Sequence, residues 1–249
     1  VRMGLPFALN HINLWLLRDR LDGRQGWTIV DCGLGNAATR EAWEQVFATQ
    51  LEGLPVLRVI VTHMHPDHIG QAAWLTQRWS STQDECRAWV SEADIFAARA
   101  AVTSESGVAG EHAARHFAAH GLNDPATQQQ VRERRGYYKK LVPDLPDAHR
   151  RLQDGLLVTI GDHVWRCIAG YGHAPEHISL YCADLGILIS GDMLLPKIST
   201  NVSVNDWEPE ADPLGAYLAS IDRMTELPPD TLLLPSHGHP FGGRDAADG

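Results

Sequence analysis

Cysteine is scarce in this chain of 249 residues, and the four present, Cys32, Cys86, Cys167 and Cys182, lie far apart. No Cys-x-x-Cys pair occurs. That excludes the redox and ribbon-type zinc motifs built on such spacing and reads as dispersed, reduced thiols. Basic residues are also few: 21 Lys and Arg against 31 Asp and Glu give a formal charge of -10. Gripping nucleic acid takes clustered cations to neutralise phosphates, so no nucleic-acid partner is expected. No run approaches the ~18 apolar residues of a membrane span, and no membrane partner is expected. Val1 to Phe7 lacks the charged start and apolar stretch of a secretory signal, so a cytoplasmic protein is expected. Internal repeats and low-complexity tracts are missing too, which argues against a solenoid.

What is present suits one large α/β (α+β) domain over residues 1–249, with 44% hydrophobic residues to build its core. His11 to Leu17 and Trp27 to Asp31 read as strands, the second ended by Gly33 and Gly35. Ala37 to Leu51 has helical spacing, Val56 to Val61 is a buried strand, and a helix is expected from Ile69 to Trp79. Another strand, Arg87 to Val90, precedes a helical insert from about Glu92 to Arg151, with breaks near Gly107, Gly121 to Pro125, and Pro143 to Pro146. The chain then returns to β at Leu156 to Ile160, Val164 to Ala169, Ile178 to Cys182 and Ile187 to Ile189. Asp212-Pro213 has the N-cap and first-turn pattern of a helix reaching about Leu227, before a last strand, Thr231 to Leu234.

Chemistry concentrates in His63-x-His65-x-Asp67-His68. Imidazole nitrogen and carboxylate oxygen suit zinc, iron or manganese at a hydrolytic site. Four such residues between positions 63 and 68 cannot share one face of a strand. On a tight loop they can point two ways, toward two adjacent metals. His173, Asp192 and His237 likewise follow predicted strands. Strands thus deliver candidate ligands to one rim, as α/β sites do. A single one of these would read as a solvated loop histidine; four sets at matching places do not.

The stretches Thr62-His63-Met64-His65-Pro66-Asp67-His68-Ile69-Gly70, Gly172-His173-Ala174-Pro175-Glu176-His177, Ser190-Gly191-Asp192 and Ser236-His237-Gly238, preceded by Val30-Asp31-Cys32-Gly33, resemble the metallo-β-lactamase superfamily, in particular its glyoxalase II-like metal-dependent hydrolases. The resemblance runs from residue 30 to 240. It implies a four-layer αββα sandwich with a helical insertion and with metals between the edges of two sheets. It assigns His63, His65 and His173 to one metal, Asp67, His68 and His237 to the other, and Asp192 as the bridge. Asp31 is then the residue behind them that orients a ligand histidine, and His177 is read as a similar support.

This chain departs from the family in having Glu176 where Gly is usual and Cys32 where Thr or Pro is commoner. Asp192, where antibiotic-hydrolysing members generally carry Cys, argues against a true β-lactamase. Met193 to Pro196 lacks the tyrosine that quorum lactonases place after the bridging aspartate.

What the resemblance implies is a hydrolase with two divalent metal ions per chain, Zn2+ first, with Fe or Mn unranked by sequence. It would cleave a small acyl thioester, ester or lactone by attack of a metal-bridging hydroxide, with Asp67 both ligand and catalytic residue. The other readings are a metal-dependent oxidoreductase of di-iron or sulfur dioxygenase type, and a non-catalytic metal-binding module. His239 competes with His237 as ligand, and the Ser-His-Gly match favours His237. His112, His116 and His120 fall on one helix face, read as solvated or pocket-facing rather than ligating. Within the insert, His116, Phe117 and Tyr138 are expected at the substrate pocket, with Gly107, Gly121 and Gly136 as hinges. Packing on the sandwich or a homodimer contact is the competing role for the same segment.

Overall fold

Alternation along the strands sorts their side chains onto two opposite faces, and this sets the layers. In the computed structural model, which describes residues 1–103, 110–134 and 136–243, β1 (Arg2–Gly4) and β2 (His11–Asn13) form an antiparallel pair. A five-stranded sheet follows, built from β3 (Trp15–Leu21), β4 (Arg24–Val30), β5 (Val56–Ile60), β6 (Arg87–Ser91) and β7 (His149–Leu152), ordered as in the chain. Strands β4 to β7 run parallel. The second sheet contains β8 (Leu157–Ile160), β9 (His163–Gly170), β10 (His177–Cys182), β11 (Ile187–Gly191), β12 (Leu232–Pro235) and β13 (Phe241–Gly242), in the order β13-β12-β11-β10-β9-β8.

In the first sheet Val30, Ile60 and Trp89 face inward, toward Cys167, Ala169, Ile178, Leu180 and Ile189 of the second. Their neighbours Ile29, Val59, Val61 and Val90 face outward, against Trp43 and Phe47 of α1 (Ala37–Gln50), Leu75 of α3 (Ala72–Trp79) and Ile95 of α4 (Glu92–Thr103). On the far side, Ile168, Tyr181 and Leu188 pack with Met224 of α8 (Pro213–Met224). Helix, sheet, sheet and helix therefore stack as four layers, the αββα sandwich that the motifs imply. Toward the end of the strands away from the ligand loops, buried Arg58 pairs with Asp19 at 2.8 Å. Arg58 also donates to the Thr159 carbonyl of the second sheet, tying the two sheets together.

Several expectations shift at element ends. The helix expected over residues 69–79 is two pieces, α2 (Pro66–Ile69) and α3, because Gln71 turns inward to donate to the carbonyls of Leu34 (2.7 Å) and Asn36 (2.8 Å). The first strand breaks at Leu14, between β2 and β3. The insert holds α4, α5 (Gly110–Ala119), α6 (Pro125–Glu133) and α7 (Tyr137–Leu141), but its expected end at Arg151 needs correction: His149–Leu152 is strand β7, parallel to β6. Its polar sequence hid an edge strand whose Arg150 guanidinium stacks over Trp89 at 4.3 Å. Gly107 lies outside the described residues. Among the described residues no helix is long and apolar enough to cross a membrane. All four cysteines are buried free thiols.

Candidate metal centre

The rim is assembled by strand ends. Parallel pairing of β4 with β5 aligns Val30 with Ile60, so the next residues, Asp31 and the Thr62–His68 loop, emerge side by side. Parallel pairing of β11 with β12 aligns Gly191 with Pro235, which brings Asp192 beside His237. Antiparallel β9 and β10 open toward the same rim, and their connection carries His173. One hydrogen bond joins the two sheets there, from Ile178 N to Thr62 O at 2.8 Å.

The seven expected ligand residues fall into two adjacent groups, His63, His65, His173 and Asp192 in one, Asp67, His68 and His237 in the other; within each group the donor atoms lie within 4.8 Å of one another. In the first, His63 Nε2 sits 3.0 Å from His65 Nδ1 and 3.1 Å from His173 Nε2. In the second, Asp67 Oδ2 is 3.4 Å from His237 Nε2 and 3.8 Å from His68 Nε2. Asp192 faces both: Oδ2 lies 3.5 Å from His173 Nε2, and Oδ1 lies 3.5 Å from both His68 Nε2 and His237 Nε2.

Groups behind the ligands decide which ring nitrogen points inward. Asp31 accepts from His68 Nδ1 at 2.8 Å with Oδ2, and from Thr62 N at 2.8 Å with Oδ1. It does so from a left-handed conformation, φ 59°, which Asp tolerates better than most residues. The Thr62 hydroxyl donates to Asp31 at 2.9 Å and lies 3.0 Å from His63 Nδ1. His173 Nδ1 meets the Asn201 carbonyl and His237 Nδ1 the His11 carbonyl, both at 2.8 Å. Their Nδ1 protons are thereby committed, and Nε2 is the nitrogen that faces inward and ligates once the ring is neutral. His177 Nε2 accepts from Asp192 N at 3.2 Å. Gly191 makes this approach feasible: φ is 55°, and a Cβ there would overlap the His177 ring.

This geometry suits a metal. His68 Nε2, His237 Nε2 and Asp192 Oδ1 are buried without a hydrogen-bond partner among the described residues. His63 Nδ1 faces a hydroxyl that already donates to Asp31, and His173 Nδ1 faces a carbonyl, so in the neutral rings two Nε2 lone pairs meet at 3.1 Å and repel unless a cation lies between them. The nitrogen and oxygen donor set therefore fits divalent ions, with Asp192 shared between two positions.

Electrostatics split along the same lines. Burial, then neighbouring His68, pushes His63 well below the usual imidazole range, and burial with His173 pushes His65 down to about 3. Both are neutral, the form that ligates. Burial alone would also lower His68 and His237. The Asp31, Asp192 and Asp67 carboxylates instead hold His68 well above its ordinary value, and Asp192 and Asp67 hold His237 up at about 10. Burial opposes ionisation of Asp192 and Asp67, but the facing imidazoles hold both carboxyls below the usual range.

A cavity of about 420 Å³ adjoins the first group, lined in part by Met64, His65, His173, Tyr138, Tyr171 and Trp207. Tyr138, expected at the pocket, is there. Its hydroxyl donates to the Met64 carbonyl at 2.6 Å. His116 and Phe117 are not among the residues that line it. Phe117 packs on Ala113, Ala114 and Val131 within the α5–α6 pair, and the His116 ring lies against His120 at 4.7 Å. His239 is exposed, whereas His237 is 3% exposed and faces Asp67 and Asp192. Sequence reasoning missed Thr200, 2.8 Å from His173 Nδ1, and Asn13, which donates to the Pro235 and Gly238 carbonyls on either side of His237. It also missed Asp94, a fully buried carboxylate raised by burial to about 6. None of the three lies in a ligand motif.

The chain belongs to the metallo-β-lactamase superfamily, whose family pattern it matches over residues 9–237. It is similar to a crystal structure of a β-lactamase domain protein from Burkholderia ambifaria, with 51% identity, TM-score 0.89 and coverage of 98% of this chain and 67% of that one. It is 23% identical to YqjP, a probable metallo-hydrolase of Bacillus subtilis, over 97% of this chain and 71% of the relative. It is 26% identical to the acyl-coenzyme A thioesterase MBLAC2 of Gallus gallus, over 94% of this chain and 74% of the relative.

Proposed function

We propose that this chain is a dinuclear metal-dependent hydrolase that cleaves a small acyl thioester, ester or lactone. The observation that carries the reading is Asp192, a single carboxylate with one oxygen toward each ligand group. When bound, two divalent ions at such a site, Zn2+ being our first choice, lower the pKa of water and polarise a carbonyl oxygen. His63, His65 and His173 hold the first position; Asp67, His68 and His237 hold the second. Asp67 has a further task, to orient the attacking water and receive its proton through the oxygen not turned to His237. The substrate carbonyl lies on the His65–His173 side, where the cavity opens, and its acyl portion extends toward Tyr138 and Trp207. Support for an acyl substrate comes from the likeness to MBLAC2, itself named for a thioesterase activity.

The test is a panel of thioesters, aryl esters and lactones offered to protein with measured metal content. Turnover of at least one class, lost on chelation and restored by metal, is the expected result. Full metal occupancy with no turnover of any class would sink the hydrolase reading, and activity that survives chelation would sink the metal-dependent one.

A further inference from the structure

Met64 lies between His63 and His65, and the helical insert holds the peptide groups on both sides of it. Its N–H donates to Asp94 Oδ1 at 2.7 Å, from α4. Its carbonyl accepts the Tyr138 hydroxyl at 2.6 Å, from α7. The other oxygen of Asp94, Oδ2, accepts from Glu176 N at 2.7 Å and from the Ser91 hydroxyl at 3.1 Å. Glu176 belongs to the loop that carries His173. One buried carboxylate thus spans the two loops, one from each sheet, that supply His63, His65 and His173. The second group leans on other residues: the loop of His237 on His11 and Asn13, and His68 on Asp31.

The lever arm at His65 makes this matter. Its inward atom is Nδ1, next to the ring carbon that joins the side chain. An Nδ1 donor follows its own backbone more closely than an Nε2 donor does. A turn of the peptides flanking Met64 would therefore carry the His65 nitrogen away from His63 and His173.

We propose that Asp94, assisted by Tyr138, is the positioning residue of the first metal subsite, so that the helical insert sets the metal geometry and borders the substrate cavity through the same tyrosine. The inference rests on the two-subsite reading above. Asp94→Asn is nearly isosteric, yet its amide NH2 must face one of two backbone N–H groups, so one loop loses its acceptor. Tyr138→Phe removes only the bond to the Met64 carbonyl.

The experiment titrates metal-free wild type, Asp94→Asn, Tyr138→Phe and His65→Ala with Zn2+ against a chromophoric chelator, and records the visible spectrum of each after loading with Co2+. Wild type should bind two ions, and His65→Ala identifies the first-subsite step as the one it abolishes. Asp94→Asn should weaken that step by ~10- to 100-fold and alter the Co2+ spectrum while sparing the other step. Tyr138→Phe should weaken the same step by roughly 2- to 10-fold. Equal weakening of both steps, or a drop in Tm with both steps unchanged, would make Asp94 a purely structural residue and overturn the proposal. If Asp94→Asn does not fold, an unchanged first step in Tyr138→Phe overturns it. Fewer than two ions on wild type would instead defeat the two-subsite reading itself, and the proposal with it.

Discussion

Replacing Asp31 by Asn removes one charge and almost no volume from a buried position behind the candidate ligands. Asp31 accepts three hydrogen bonds: Thr62 N at 2.8 Å, the Thr62 hydroxyl at 2.9 Å and His68 Nδ1 at 2.8 Å. An amide can satisfy only some of them. With its oxygen toward His68, its NH2 meets the Thr62 N–H, donor against donor. With its oxygen toward Thr62 N, the NH2 faces His68 Nδ1, which must then accept. The His68 proton moves to Nε2, the atom that points at Asp67 and Asp192, and the ligand lone pair is lost.

Either way a buried group goes unsatisfied. A cost of about 1–3 kcal/mol, at roughly 2–4 °C per kcal/mol for a chain of this size, lowers the Tm of the metal-free protein by about 2–12 °C. The second-subsite metal should bind ~10- to 100-fold more weakly, with a matching loss of kcat/KM. Thermal melts of the chelated protein and chelator competition measure the two effects separately. A variant that binds both ions within about threefold of wild type and melts at the same temperature would refute this role for Asp31.

Metal loading should release protons, about two per chain near pH 7, because His68 and His237 are held protonated in the metal-free state, His237 up to about 10; calorimetry in buffers of differing ionisation enthalpy counts them, and zero release would mean that both rings are already neutral before metal binds. By the same shifts, the contribution of this pair to metal-free stability is complete below the ordinary histidine value of 6.5 and is lost as pH rises toward about 10; a Tm that climbs over that window, with metal absent, is the contrary outcome. Asp192→Ala and His63→Ala should abolish hydrolysis, whereas His239→Ala and His116→Ala should leave metal content intact by elemental analysis; a metal position emptied by His239→Ala but not by His237→Ala would reverse the choice between those two. Phe117→Ala should cost ~0.5–3 kcal/mol of stability without changing relative kcat/KM across acyl chain lengths, while Trp207→Ala should change that ranking at full metal content; the opposite pattern would put the α5–α6 pair at the substrate.

Two central strands were legible because their burial is two-sided, whereas the short pieces β1 (Arg2–Gly4) and β13 (Phe241–Gly242) were not read as strands. Val56–Ile60 and His177–Cys182 are buried along their whole length, and near-continuous apolar runs of that kind have few other uses. The start of α8 was legible from local chemistry alone: the Asp212 carboxylate accepts from Gly215 N at 2.8 Å, with Pro213 in the first turn. Strand β7 was not, because His149-Arg150-Arg151 carries no apolar alternation and is held by pairing to β6 and by stacking on Trp89. Phe117 was misplaced for the opposite reason. Its helical spacing shows that it packs inward, but the partner it packs on, α6, follows from tertiary contact.

The site divides in the same manner, and the division has a physical basis. His63, His65, Asp67 and His68 are legible as candidate ligands because coordination chemistry favours few residue types at short spacings within one loop, and His173, Asp192 and His237 are legible from their places just after expected strands. Residues that steer those candidates obey no such restriction: any acceptor that reaches a ring Nδ1 or a loop N–H, or any donor that reaches a loop carbonyl, will do. Here they include the carbonyls of Asn201 and His11, which any residue supplies, and the side chains of Asp94, Thr200 and Asn13, scattered over the chain. Asp31 was legible only because it lies in a recurring motif beside β5. The first group draws ligands from both sheets, and so does the second. Neither group exists until the sheets are docked, so a metal held there would draw on the same packing that places Asp94 beside Met64.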